Sequence, residues 1–86
     1  MAYTVELKPA AVRDLKAIPE RDRKRIKTRI DALAENPRPH GVKALQGGES
    51  YLRLRVGDYR ILYTVLDQVL LVVVIRIGNR REAYRR

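Results

Sequence analysis

The sequence predicts an α+β protein of order β-α-α-β-β-β, with an antiparallel helix hairpin packed on one face of a small, mostly antiparallel twisted sheet. Three observations predict it. An alternating segment opens the chain, two segments of helical period follow, and three β-rich runs separated by turn dipeptides come after them. That order segregates helices to one side of a sheet.

Each element has its own signal. In Ala2–Leu7, Tyr3, Val5 and Leu7 point one way and Thr4 and Glu6 the other, as in a first strand. Pro9 suits the first turn of a helix. Val12, Leu15 and Ile18 then recur at helical spacing until Pro19 ends the helix. A second helix is expected from Arg21 to Glu35, with Ile26, Ile30 and Leu33 as its buried stripe. Its other faces carry Arg21, Arg23, Lys24, Lys27 and Arg29, and Pro37 and Pro39 stop it. Residues 37–50 read as a loop punctuated by Gly41, Gly47 and Gly48. Strands are expected over Tyr51–Val56, Tyr59–Leu66 and Val69–Ile77. Gly57-Asp58 is a good two-residue hairpin turn, whereas Asp67-Gln68 is a poor one. The last run is apolar on both faces, as a central strand should be.

The 86 residues are expected to form one domain spanning 1–86. A domain this size buries roughly 60–65% of its unfolded surface, too little for a deep closed pocket, so the expected site is a groove. The absence of cysteine excludes disulfides and thiolate chemistry and fits a reducing compartment. No apolar leader opens the chain, and Val69–Ile75 is too short to span a bilayer, so a cytoplasmic protein without membrane contact is expected. Nineteen Lys and Arg against ten Asp and Glu, a net charge of +9, point to a polyanionic partner.

Three arginines, at 53, 55 and 60, interrupt the otherwise largely apolar run YLRLRVGDYRILYTV. With Gly57 and Asp58 as the turn, Val56 pairs with Tyr59, Arg55 with Arg60 and Leu54 with Ile61. Leu52, Leu54, Val56, Tyr59, Ile61, Tyr63 and Val65 then share a face that must meet the helices. Tyr51, Arg53, Arg55, Arg60, Leu62 and Thr64 share the other. Like charges in direct opposition destabilise a sheet by up to about 1 kcal/mol. Two readings of Arg53, Arg55 and Arg60 stand on residues alone: a solvated outer face, or a grip on phosphate through paired guanidinium hydrogen bonds. The segment after Gly78 adds Arg80, Arg81 and Tyr84, either as a frayed basic tail or as arginines beside a ring on which a base stacks.

The single histidine, His40, lies in a loop, and the carboxylates are scattered with no spacing for a two-metal site. No metal and no cofactor are expected. RNA offers another route, since its own 2′-hydroxyl can attack the adjacent phosphate. A protein then need only position the nucleotide, stabilise charge on phosphorus and move protons. Arginines suit the second task and are poor bases. Tyr84 is a candidate proton carrier.

At Tyr51-Leu-Arg-Leu-Arg-Val-Gly-Asp-Tyr-Arg-Ile-Leu-Tyr63 and Ile77-Gly-Asn-Arg-Arg-Glu-Ala-Tyr84 the sequence resembles the RelE branch of the RelE/ParE toxin superfamily. Glu35-Asn-Pro-Arg-Pro39 and Lys43-Ala-Leu-Gln-Gly47 add to the likeness, which spans almost the whole chain. The resemblance implies the toxin of a type II toxin–antitoxin system: a metal-independent endoribonuclease that cuts messenger RNA in the ribosomal A site. It implies a RelB-like antitoxin as partner, with operator DNA bound only through the antitoxin complex. Carried over, Arg53 and Arg55 match a basic catalytic pair, Arg60 a phosphate-stabilising arginine, Arg80 the tail arginine and Tyr84 the stacking tyrosine. Lys24, Lys27, Lys43 and Arg81 are the expected RNA contacts. Positions 53 and 55 are lysines in the best-understood relatives, and many have histidine where this chain has Asn79. Competing expectations are a ParE-like gyrase poison, a nucleic-acid-binding module or repressor using the basic helix, and a decayed toxin that only binds antitoxin.

Overall fold

Residues 2–44 and 51–79 are described by the computed structural model; the expectations for Arg80, Arg81 and Tyr84 fall outside them. β1 is Thr4–Leu7, α1 Pro9–Lys16, α2 Glu20–Ala32, β2 Lys43–Ala44, β3 Tyr51–Val56, β4 Tyr59–Leu66 and β5 Leu71–Asn79. The strands form a mixed sheet of order β1-β5-β4-β3-β2, in which only the β1–β5 pair is parallel. Helix α1 packs on β5 and α2 on β3. The expected α+β architecture is observed; the last strand, expected to be central, is an interior strand between β1 and β4, and β4 is the middle one.

The β3–β4 hairpin has the register read from the sequence: Val56 opposite Tyr59, Arg55 opposite Arg60 and Leu54 opposite Ile61. Gly57 takes a positive φ of 60° and Asp58 does not, the pattern of a type II′ turn, whose twist matches that of the flanking strands. Leu54, Val56, Ile61, Tyr63 and Val65 are therefore buried, together with Ile26, Ile30 and Leu33 from the α2 segment and Ala11 and Ile18 beside α1. Tyr63 is fully buried, and its hydroxyl donates to the Pro37 carbonyl at 2.6 Å. Burial pushes that hydroxyl's pKa up to about 12, so Tyr63 is a neutral anchor for the chain leaving α2.

Several boundaries depart from expectation, among them the end of the last strand, at Asn79 rather than Ile77. The segment expected to be loop contains β2, a two-residue edge strand too short to show any period. Helix α2 ends at Ala32 rather than Glu35. The last strand starts at Leu71 rather than Val69, because Asp67–Val69 forms a 3-10 turn and Leu70 adopts φ 52°, leaving Val69 67% exposed. Asp67 is held there by Arg38, at 2.9 and 3.2 Å, and by the Tyr3 hydroxyl at 2.7 Å. These bonds keep its carboxyl below the usual range.

A β-bulge in β5 corrects a conflict in the sequence. Val72 and Val74 face the core, so strict alternation would bury Arg76. The register instead steps from Tyr63↔Val74 to Leu62↔Arg76, leaving Ile75 as an extra residue. Ile77 thereby enters the core and Arg76 stays exposed. Past Val74, β1 no longer runs beside β5, and Asp14 of α1 takes over that edge. It accepts the Ile77 N–H at 2.9 Å and pairs with the Arg76 guanidinium at 2.7 and 3.2 Å. Partial burial alone would raise the Asp14 carboxyl; the bonds from Arg76 and Ile77 outweigh it and lower the pKa.

Two outcomes follow for stability. Gly57→Ala forces a Cβ into the left-handed region and should cost roughly 1–2 kcal/mol. The nearest described neighbour of that Cβ is the flexible end of Arg25, at 3.3 Å, so backbone strain dominates. Urea titration should show a lower midpoint with an unchanged m-value. Asp14→Asn removes a carboxylate whose folded pKa lies below its unfolded value of about 3.9. Its contribution is present above that unfolded value and is lost as the pH falls through the folded one. The variant should be less stable than wild type at pH 7, and the difference should shrink below about pH 4.

Candidate functional site

The helices cover one face of the sheet. On the other face the alternation that buries Leu54 and Ile61 projects Arg53, Arg55 and Arg60 outward. β2 extends this group, because Lys43 pairs with Arg53 across the β2–β3 ladder. Gly41, at φ 93°, lets the chain turn into β2. The result is an open cavity of about 290 Å³ lined by Gly41, Lys43, Arg53, Arg55 and Arg60. Among the described residues no carboxylate lines it. Four cations from three strands thus face one solvent-filled groove, an arrangement suited to a phosphodiester and adverse to its own stability.

The same face has an apolar half. A second open cavity, of about 440 Å³, is lined by Tyr51, Thr64, Leu66, Val73 and Ile75, with Lys8 and Glu6 at its rim. Tyr51 shares the parity of Arg53 and Arg55, which put a ring on the arginine face already in the sequence, though nothing there singled it out for a role. At the other side of the cluster Arg60 is registered with Gly78 and Tyr59 with Asn79, so β5 delivers the chain to residue 79 beside Arg60. Arg80 follows directly in sequence. The Tyr59 hydroxyl approaches Asp22 at 3.5 Å, and burial together with that carboxylate raises its pKa.

The structure thus brings together Arg53, Arg55, Arg60 and Lys43. It does not bring Lys24 or Lys27 to them: both are exposed on α2, in the layer that covers the opposite face, and Lys24 makes an i,i+4 pair with Glu20 at 3.8 Å. Among the described residues no cluster of His, Asp and Glu could hold a metal ion, and no helix is long and apolar enough to cross a membrane.

A two-layer α+β fold with a basic cavity on its open sheet face defines a class of small toxin. The family model of the ParE toxin of type II toxin–antitoxin systems matches residues 5–84, and the chain belongs to that family. Its relatives place it on the RelE branch. RelE1 of Methanocaldococcus jannaschii is 32% identical over 88 residues, covering 99% of this chain and 98% of its own. The mRNA interferase toxin RelE of Escherichia coli is 27% identical over 84 residues, covering 96% of this chain and 88% of its own. In the archaeal RelE–RelB complex from Pyrococcus horikoshii, the matching chain superposes with a TM-score of 0.82 at 28% identity, over 93% of this chain and 97% of that one.

The opposed arginines generate a prediction. Arg55→Thr should stabilise the hairpin by a few tenths of a kcal/mol, up to about 1, by ending the direct opposition of Arg55 and Arg60. The gain should shrink as salt screens the repulsion. Urea midpoints at low and high ionic strength, read beside a loss of RNA affinity, check it.

Proposed function

We propose that this toxin is a ribosome-dependent, metal-independent endoribonuclease that cuts translated messenger RNA in the A site. The observation that carries the reading is the convergence of Arg53, Arg55, Arg60 and Lys43 on one groove. In the reaction the RNA 2′-oxygen attacks the adjacent phosphorus in line. The bond from phosphorus to the 5′-oxygen breaks, and the products are a 2′,3′-cyclic phosphate and a free 5′-hydroxyl. Arg60 stabilises the additional negative charge on the phosphoryl oxygens, and Arg53 and Arg55 hold the flanking phosphates. Arg80 joins them from the segment after β5, and Tyr84 stacks on a base beside the cut. Lys24, Lys27 and Arg81 contact ribosomal or messenger RNA away from the cut. All of this falls to one toxin domain, residues 1–86, working in the cytoplasm.

A cognate RelB-like antitoxin silences the toxin, and operator DNA is bound through that complex. Solved RelE chains in complex with RelB support the partner. The positive charge of +9 favours an acidic or amphipathic antitoxin segment and fast, salt-sensitive association. The name of the family model favours a second reading, a gyrase poison with no nuclease activity. That activity makes no use of a groove of converging arginines, which is why the nuclease ranks first.

Arg60→Ala should reduce single-turnover cleavage by 10²–10³-fold, the usual loss for one transition-state charge contact. The variant should still fold and bind antitoxin, because its side chain belongs to the face away from the core. Primer extension after brief induction should find cuts inside translated codons for wild type and none for the variant. DNA damage without RNA cuts would establish the gyrase reading instead.

A further inference from the structure

We infer that Lys43 is the general base of this site, accepting the proton of the attacking 2′-hydroxyl. The inference rests on the nuclease reading above and adds a role to it. Cleavage requires that proton to leave as the phosphorus–oxygen bond forms. Arg53 and Arg55 of β3 and Arg60 of β4 hold their protons at any working pH, because arginine is not deprotonated in proteins. Gly41 has no side chain. Among the described residues lining the groove, Lys43 is therefore the group able to exchange a proton. His40 precedes Gly41 on an exposed loop and is not in that described lining, and no described carboxylate is.

The topology favours Lys43 over a merely electrostatic contact. Among the described residues β2 pairs with β3 at Lys43 and Ala44, and that pairing puts Lys43 directly opposite Arg53. A phosphate held by Arg53 and Arg55 thus has an amine at its flank, on a strand other than the one that grips it. In its neutral form the Lys43 Nζ takes the 2′-proton while the 2′-oxygen bonds to phosphorus. The 5′-oxygen departs on the opposite side and takes a proton from water, and the Lys43 ammonium then returns its proton to solvent. Atoms and charge balance, and no further reactant is needed.

The test is single-turnover cleavage of messenger RNA on programmed ribosomes across pH, with wild type, Lys43→Arg and Lys43→Cys. Wild-type rates should rise with pH, as the neutral amine becomes populated. Lys43→Arg keeps the charge and should bind ribosomes as well as wild type, yet cut 10²–10⁴-fold more slowly and lose the rising limb. The chain has no native cysteine, so Lys43→Cys can be alkylated at that one sulfur with bromoethylamine. This restores a lysine-like amine of lower pKa. Cleavage should return, with its rising limb moved to lower pH. Lys43→Arg cutting at the wild-type rate with the wild-type pH profile would overturn the role of Lys43 and leave the nuclease intact. A wild type that leaves the message uncut would overturn the nuclease, and Lys43 with it.

Discussion

The two-residue turn at Gly57-Asp58 is the constraint on which the rest of the structure depends. Side chains on a strand alternate with a period of two, so the turn decides which residues of β3 and β4 face the helices. With Val56 opposite Tyr59, seven mainly apolar side chains form a continuous inner face and three arginines form an outer one. A slip of one residue in either strand would exchange the two sets and bury guanidinium groups without partners, which is prohibitive. Core and functional face are thus two consequences of one register. Neither can be altered by shifting the strands without destroying the other.

The remaining elements solve problems created by β5. As an interior strand it must be apolar on both faces, yet it carries Arg76 between core residues. The bulge at Ile75 resolves this by spending one extra residue, and Asp14 then binds both Arg76 and the backbone N–H that β1 is too short to reach. At the other end of β5, the Arg38–Asp67–Tyr3 cluster ties the chain after α2, the turn before β5 and the start of β1 together. The Asp14 cluster also satisfies a backbone group, the Ile77 N–H, whereas the bonds at Asp67 join side chains. The exposed Arg38–Asp67 pair contributes little as a charge interaction and more as a set of directed bonds.

The proposed functional face is built against stability. Opposed arginines and a short edge strand each cost free energy, and under the proposed function each serves the binding of a polyanion or a protein partner. Burial of the inner face must offset them. The fold superposes closely on a RelE chain at 28% identity.

By itself the sequence determined the hairpin register, the helical stripes of Ile26, Ile30 and Leu33, and the outward face of Arg53, Arg55 and Arg60. These depend on local period and turn chemistry, which are written in neighbouring residues. The likeness to RelE toxins was legible for the same reason, since its marks lie in those strands. Only the tertiary structure decided that Lys43 belongs to the arginine groove, that β5 carries a bulge, and that Asp14 caps its edge. Lys43 and Arg53 are partners through a two-residue pairing with no periodic signature, and Asp14 meets Ile77 across 63 positions of sequence. The separation of Lys24 and Lys27 from the groove was equally hidden, because a helix's charge says nothing about which side of the sheet the helix will cover.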